Sequence, residues 1–195
     1  MTAGWFLTYH EIPELVQRWL AGLGVRDPER GARDLADLTR RAGPASLGQV
    51  ARIAVQLDAV LPRCPDPAMA LTNLDRFLAA MPRLEQALHE LAEDARKTEI
   101  LLQVFSTSQY FSEVLIRDPE LFDWLQAGAE RRDRAAMVEE LCTTLAALPS
   151  DDVQKLALRR FRHRESLRIG YNDIVRGFPL EVITADLSHL ADACI

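Results

Sequence analysis

The chain has 195 residues, 48% hydrophobic and 27% charged, with a formal net charge of −6. This mixture, with a mean hydropathy of −0.08, suits a globular protein and excludes large-scale disorder, while an isoelectric point near 5.3 argues against general binding to nucleic acid or anionic membrane, which needs a broad positive field. Cys64, Cys142 and Cys194 are odd in number and without Cys-x-x-Cys spacing, so neither a disulfide framework nor a zinc site is expected and the compartment reads as reducing.

Apolar residues recur at spacings of three and four almost throughout, and alternating β-branched runs with Asn-Gly or Asp-Gly turns are absent. The prediction is an all-α fold, an irregular bundle of about nine or ten helices. Ile12, Leu15, Val16, Trp19 and Leu20 mark a first helix, stopped by Gly22 and Gly24. Asp27-Pro28 offers an acidic cap and a first-turn proline for a second, ending before Gly43-Pro44. The third starts at a Ser46 cap and carries Val50, Ile53, Ala54 and Leu57 toward Pro62; Asp66-Pro67 repeats the start signal for a helix with Leu71, Leu74, Phe77 and Leu78. Leu84 to Phe105 reads as one helix whose polar interval, Ala92 to Glu99, has room for a break. Ser106 to Gln109 forms a capping turn before Tyr110, Phe111, Val114 and Leu115, and Asp118-Pro119 begins a short helix with Leu121, Phe122, Trp124 and Leu125. Arg131 to Leu148 comes next, ended by Pro149. A long basic helix near residues 151–176 follows, capped by Ser150 and Asp151 and stopped by Gly177 and Pro179. Leu180 to Ile195 closes the chain, with Ile183, Leu187, Leu190 and Cys194 in one stripe. It meets the last residue without a stop signal, so the natural chain is expected to continue.

No uninterrupted apolar stretch of about 18 residues and no basic-then-apolar leader occurs, so the expected location is cytoplasmic, with no membrane partner. Gly-rich phosphate loops, a His-Glu-x-x-His helix, a Gly-x-Ser-x-Gly elbow and any Asp-x-Asp pair are also missing. No catalytic or metal residue is therefore assigned.

From Asp151 to Arg176 the chain carries seven Lys or Arg against four Asp or Glu, a local charge of +3 in an acidic protein. At 100° per residue, Val153, Leu156, Leu167, Tyr171 and Ile174 share one side and Leu158, Phe161 and Ile169 a second, predicting a helix packed on two sides. Lys155, Arg159, Arg162 and Ser166 share a polar edge, expected to be solvated, with Arg162 paired to Glu165. Arg160, Arg164 and Arg168 follow at i, i+4, i+8 among apolar neighbours. Two readings of that row stay open: buried ion pairs with acids such as Glu113, Asp118, Glu120 or Asp123, or a phosphate site matched to forked guanidinium donors.

Three segments carry a resemblance. Phe105-Ser-Thr-Ser-Gln-Tyr-Phe-Ser-Glu-Val-Leu-Ile-Arg-Asp-Pro-Glu-Leu-Phe-Asp-Trp-Leu125, Leu158-Arg-Arg-Phe-Arg-His-Arg-Glu-Ser-Leu-Arg-Ile-Gly-Tyr-Asn-Asp-Ile174 and Leu187-Ser-His-Leu-Ala-Asp-Ala-Cys-Ile195 resemble glutamate-ammonia ligase (glutamine synthetase) adenylyltransferase. Asn73-Leu-Asp-Arg-Phe-Leu78 is a weaker match, so the likeness covers Leu71 to Ile195. The resemblance implies residues 1–70 as a helical extension and 71–195 as the N-terminal part of an adenylyl-removing half, packed as one unit. It also implies a bifunctional enzyme that attaches AMP from ATP, with Mg, to a tyrosine of glutamine synthetase and removes it by phosphorolysis under control of glutamine and the PII signal protein. A Ser-Asp-x-Asp segment follows the corresponding last helix in that family and is absent here, so the expected role is non-catalytic. The chain would scaffold its own missing nucleotidyltransferase domain, with Ile183, Leu187 and Leu190 at the contact. The alternative is a stand-alone helical interaction module.

Overall fold

A computed structural model describes residues 1–195 as twelve α-helices, with short 3-10 turns at Pro44–Ser46 and Leu61–Arg63 and no strand. The all-α class agrees with the sequence pattern, and the two extra helices have identifiable causes. The first helix, α1 (Ala3–Tyr9), has only seven residues, too few for a periodic signal; the Thr2 hydroxyl accepts from the Trp5 amide, and Phe6 is buried beside Trp19. The second arises because Leu84 to Phe105 divides into α6 (Leu84–Glu93) and α7 (Ala95–Thr107). Asp94 causes the division, its carboxylate accepting from the amides of Arg96 and Lys97. The remaining helices are α2 (Pro13–Gly22), α3 (Pro28–Ala42), α4 (Leu47–Val60), α5 (Pro67–Ala80), α8 (Gln109–Arg117), α9 (Glu120–Gly128), α10 (Arg134–Ala146), α11 (Asp151–Ile174) and α12 (Leu180–Ala193).

Start signals work where a carboxylate or hydroxyl can reach orphan amides. Asp27 accepts from Arg30, Asp66 from Met69, Ser108 from Phe111 and Asp133 from Ala136. Ser46, expected to cap α4, is instead buried in the 3-10 turn and its side chain caps nothing. Ser150 likewise stands at the N-cap of α11 without a side-chain bond. At the end of α2, Gly24 takes φ 84° while the Val25 amide returns to Leu20 O and the Gly24 amide to Ala21 O. A residue with a Cβ would be strained in that left-handed closure.

The chain divides into two compact units, Met1–Pro119 and Glu120–Ile195. Residue 70 lies inside α5, so a division into 1–70 and 71–195 does not coincide with the boundary between units. In the first unit α5 packs on α3, α7 and α8, and α4 on α1, α6 and α7. Phe77 and Phe105 meet with ring centroids 5.6 Å apart, and the buried Asn73 amide donates to Phe105 O. Gln56 on α4 donates to the end of α6 at Leu91 O and Ala92 O and accepts from the Thr98 hydroxyl on α7, closing the polar gap where the two helices part.

In the second unit Met137 and Leu141 of α10, Phe161 and Ile169 of α11, and Ile183 and Leu190 of α12 form one apolar core. The expected packing of α11 on two sides holds only for its second half. Val153 and Leu156 are 40% and 48% exposed. Cover in the first turns comes from the α10 side, where Gln154 donates to Leu145 O and Leu148 O. No helix is long and apolar enough to cross a membrane.

Candidate functional site

Four charged or polar side chains of the second unit are buried to 0% exposure: Glu165, Arg168 and Asn172 on α11 and Asp186 on α12. The helical pattern accounts for their positions. Glu165 sits four residues after Phe161 and four before Ile169, and Asp186 falls between Ile183 and Leu190, so each acid occupies a core-facing position.

Glu165 is the hub. It accepts from Arg168 Nε at 2.8 Å, Arg132 Nη1 at 2.9 Å and Arg164 Nη2 at 3.0 Å. Asp186 accepts from Arg131 Nη2 at 2.9 Å, and its second oxygen lies 3.5 Å from Arg168 Nη1. Glu140 of α10 binds Arg132 and Arg164, each at 2.6 Å. Burial alone would raise the Glu140 pKa, but the Arg164 and Arg132 guanidiniums more than offset that and hold it below the usual glutamate value. Carbonyl oxygens complete the link: Arg168 donates to Glu130 O and Arg176 to Ala129 O. The α9–α10 connection is thereby fastened to α10, α11 and α12. Arg131 and Arg132, expected inside a helix, lie before it because Asp133 caps α10; their side chains are free to turn toward the acids.

The predicted row is divided by the structure. Arg168 is wholly buried among acids, and Arg164, at 25% side-chain exposure, lies 5.2 Å from both the Trp124 and Phe161 ring centroids. Arg160 is exposed, because Val153 and Leu156 beside it are uncovered. The acids are not those named from sequence: Glu113 pairs with Arg76 instead. Arg162 does not pair with Glu165, whose oxygens face inward to three other arginines. Of the apolar trio on α12, Ile183 and Leu190 fill the unit's own core at 6% and 5% exposure, while Leu187 is 48% exposed.

Arg164 Nε, Arg168 Nη2, Asn172 Nδ2 and Asp186 Oδ2 are buried with no hydrogen-bond partner. The cluster is thus incompletely satisfied, a state in which loss of any one charge is costly. No group of three or more His, Cys, Asp or Glu is placed to hold a metal ion. An open cleft of about 460 Å³ in the first unit is lined by Asp27, Arg30, Asp66, Asn73 and Arg76. Both aspartates there cap helices, Arg76 pairs with Glu113, and Asn73 bonds to Phe105 O and Gln109.

Comparison with known proteins supplies the lineage. Residues 98–195 match the family described as glutamate-ammonia ligase adenylyltransferase. The chain belongs to this family. It is similar to proteins named bifunctional glutamine synthetase adenylyltransferase/adenylyl-removing enzyme in several bacteria. In Leifsonia xyli subsp. xyli the identity is 29% over 92% of this chain and 18% of that protein. In Chromobacterium violaceum it is 30% over 89% and 20%, and in Streptomyces coelicolor 31% over 92% and 18%. The chain therefore spans about a fifth of the length of the curated relatives it matches. No solved structure matches significantly.

Proposed function

We propose that this chain acts as a non-catalytic helical scaffold within an enzyme that adenylylates and deadenylylates glutamine synthetase. The observation that carries the reading is the destination of its charges: the buried carboxylates and guanidiniums of the second unit bind each other and fasten helices together. Nucleotidyl transfer needs carboxylates that align metal and phosphates, and Glu165 and Asp186 are already held by arginines. In this reading Arg164 and Arg168 are positioning residues of the scaffold rather than a phosphate site, ATP and Mg belong to the nucleotidyltransferase core, and the enzyme works in the cytoplasm on glutamine synthetase under PII control.

Contact with that core falls on the outer face of α12. Leu180 and Leu187 are 71% and 48% exposed there, while Ile183 and Leu190 hold the helix from behind. The test uses adenylylated glutamine synthetase with phosphate and Mg. The chain alone should release no ADP, the product of phosphate attack on the adenylyl-tyrosine, and the chain joined to the segment that follows it in the relatives should release it. Release by the chain alone would overturn the proposal.

A further inference from the structure

Acid partners are unevenly distributed among the arginines of α11. In its second half every arginine of the buried row has an acid partner, but Arg159, Arg160 and Arg162 are exposed and pair with none. Lys155 lies 3.7 Å from Asp152, with both side chains largely in solvent at 68% and 96%, an arrangement worth little as a bond. By helical angle, Arg162, Lys155, Arg159, Leu156, Arg160 and Val153 lie around the uncovered half of the helix, over about 15 Å of its length, with Asp152 also on this arc. The two large apolar side chains on this arc, Val153 and Leu156, are 40% and 48% exposed.

We propose that this face of α11 is a docking surface for an acidic amphipathic segment of a partner protein. Two features of the arc select that chemistry. Cations on both flanks of Leu156 supply a positive field within a chain of net charge −6, so the matching surface is negative. The exposed Leu156 and Val153 supply an apolar anchor inside a charged rim, the layout of a protein interface. A polyanion such as DNA presents mainly phosphates along its rim and little apolar surface to cover these two side chains. The occupant is therefore a helix or strand with Asp or Glu along its edges and Leu-like residues at its centre. This surface is distinct from the exposed face of α12 and does not depend on the scaffold reading.

The test uses the complete chain and three labelled probes: a helical peptide with Leu at i, i+4 and i+7 and Glu at its flanks, poly-glutamate of equal length, and a DNA duplex. Anisotropy should show binding of the Leu/Glu peptide, with poly-glutamate about tenfold weaker because it lacks the anchor. Raising ionic strength from about 0.01 to about 1 M, which shortens the Debye length from about 30 to about 3 Å, should weaken it further. Leu156→Ser and Arg159→Glu, both at exposed positions, should each reduce affinity about tenfold while leaving the circular dichroism unchanged. Absence of peptide binding, affinity unchanged from the parent chain in both variants, tighter binding of DNA, or sedimentation showing that Leu156 mediates self-association would each overturn the proposal.

Discussion

Glu165→Gln removes one negative charge from the centre of the second unit while nearly preserving side-chain volume. Three guanidiniums converge on this carboxylate at 2.8–3.0 Å. Without it, Arg168, at 0% exposure, retains only Asp186 at 3.5 Å and the Glu130 carbonyl at 3.4 Å. Breaking a buried pair by removing one partner costs about 3–5 kcal/mol, because the remaining charge stays desolvated. With a urea dependence of about 1–3 kcal/mol per molar, the unfolding midpoint should fall by at least about 1 M. Trp124 is the only tryptophan of residues 120–195, so its fluorescence in a Trp5→Phe/Trp19→Phe background reports this unit separately, which two-unit unfolding requires. Arg168→Met should cost less, since Glu165 keeps Arg132 and Arg164 and Asp186 keeps Arg131. A loss below about 1 kcal/mol for Glu165→Gln, or a larger loss for Arg168→Met, would refute the hub arrangement.

Further expectations concern both units. Gly31→Ala should destabilise the first unit by about 1–3 kcal/mol, because a Cβ there would meet Leu20 Cδ1 at 2.9 Å and Leu71 Cδ2 at 3.0 Å. Gly48→Ala, with nothing within 4 Å, should stabilise it by about 0.4–1 kcal/mol; thermal unfolding of both variants distinguishes them. Arg164→Met should lower the Trp124-reported midpoint in the chain alone, whereas a purely phosphate-binding arginine would leave the fold intact and impair only AMP removal in the complete enzyme. Because Glu140 is held below its unfolded value of 4.5, its contribution is present above that pH and disappears as pH falls through the lower native value. Glu140→Gln should therefore flatten the acid limb of a stability-against-pH curve.

The helical class and most start sites were legible because Asp-Pro pairs and three-four apolar spacing are local signals. Ser46 failed as a cap because the preceding residues wind into a 3-10 turn, and α1 escaped notice because packing on α4 and against Trp19, rather than its own periodicity, holds it. The charged cluster was half legible. The arginine row was conspicuous, yet its partners lie on α10, α12 and the same helix, and only tertiary structure selects among several acids. Two clues were nonetheless present: Glu165 between Phe161 and Ile169, and Asp186 between Ile183 and Leu190, are acids on apolar stripes and demand buried cations. Apolar periodicity misled in the first half of α11, where Val153 and Leu156 fit a core stripe but meet no covering helix.

The most direct measurement of the scaffold account is hydrogen exchange along α12, in the chain alone and in the chain joined to the nucleotidyltransferase segment of a relative. Amides around Leu180 and Leu187 should become markedly more protected on joining, the unit's thermal midpoint should rise, and Leu187→Asp should abolish both effects. Unchanged protection and an unchanged midpoint in the joined protein would contradict it.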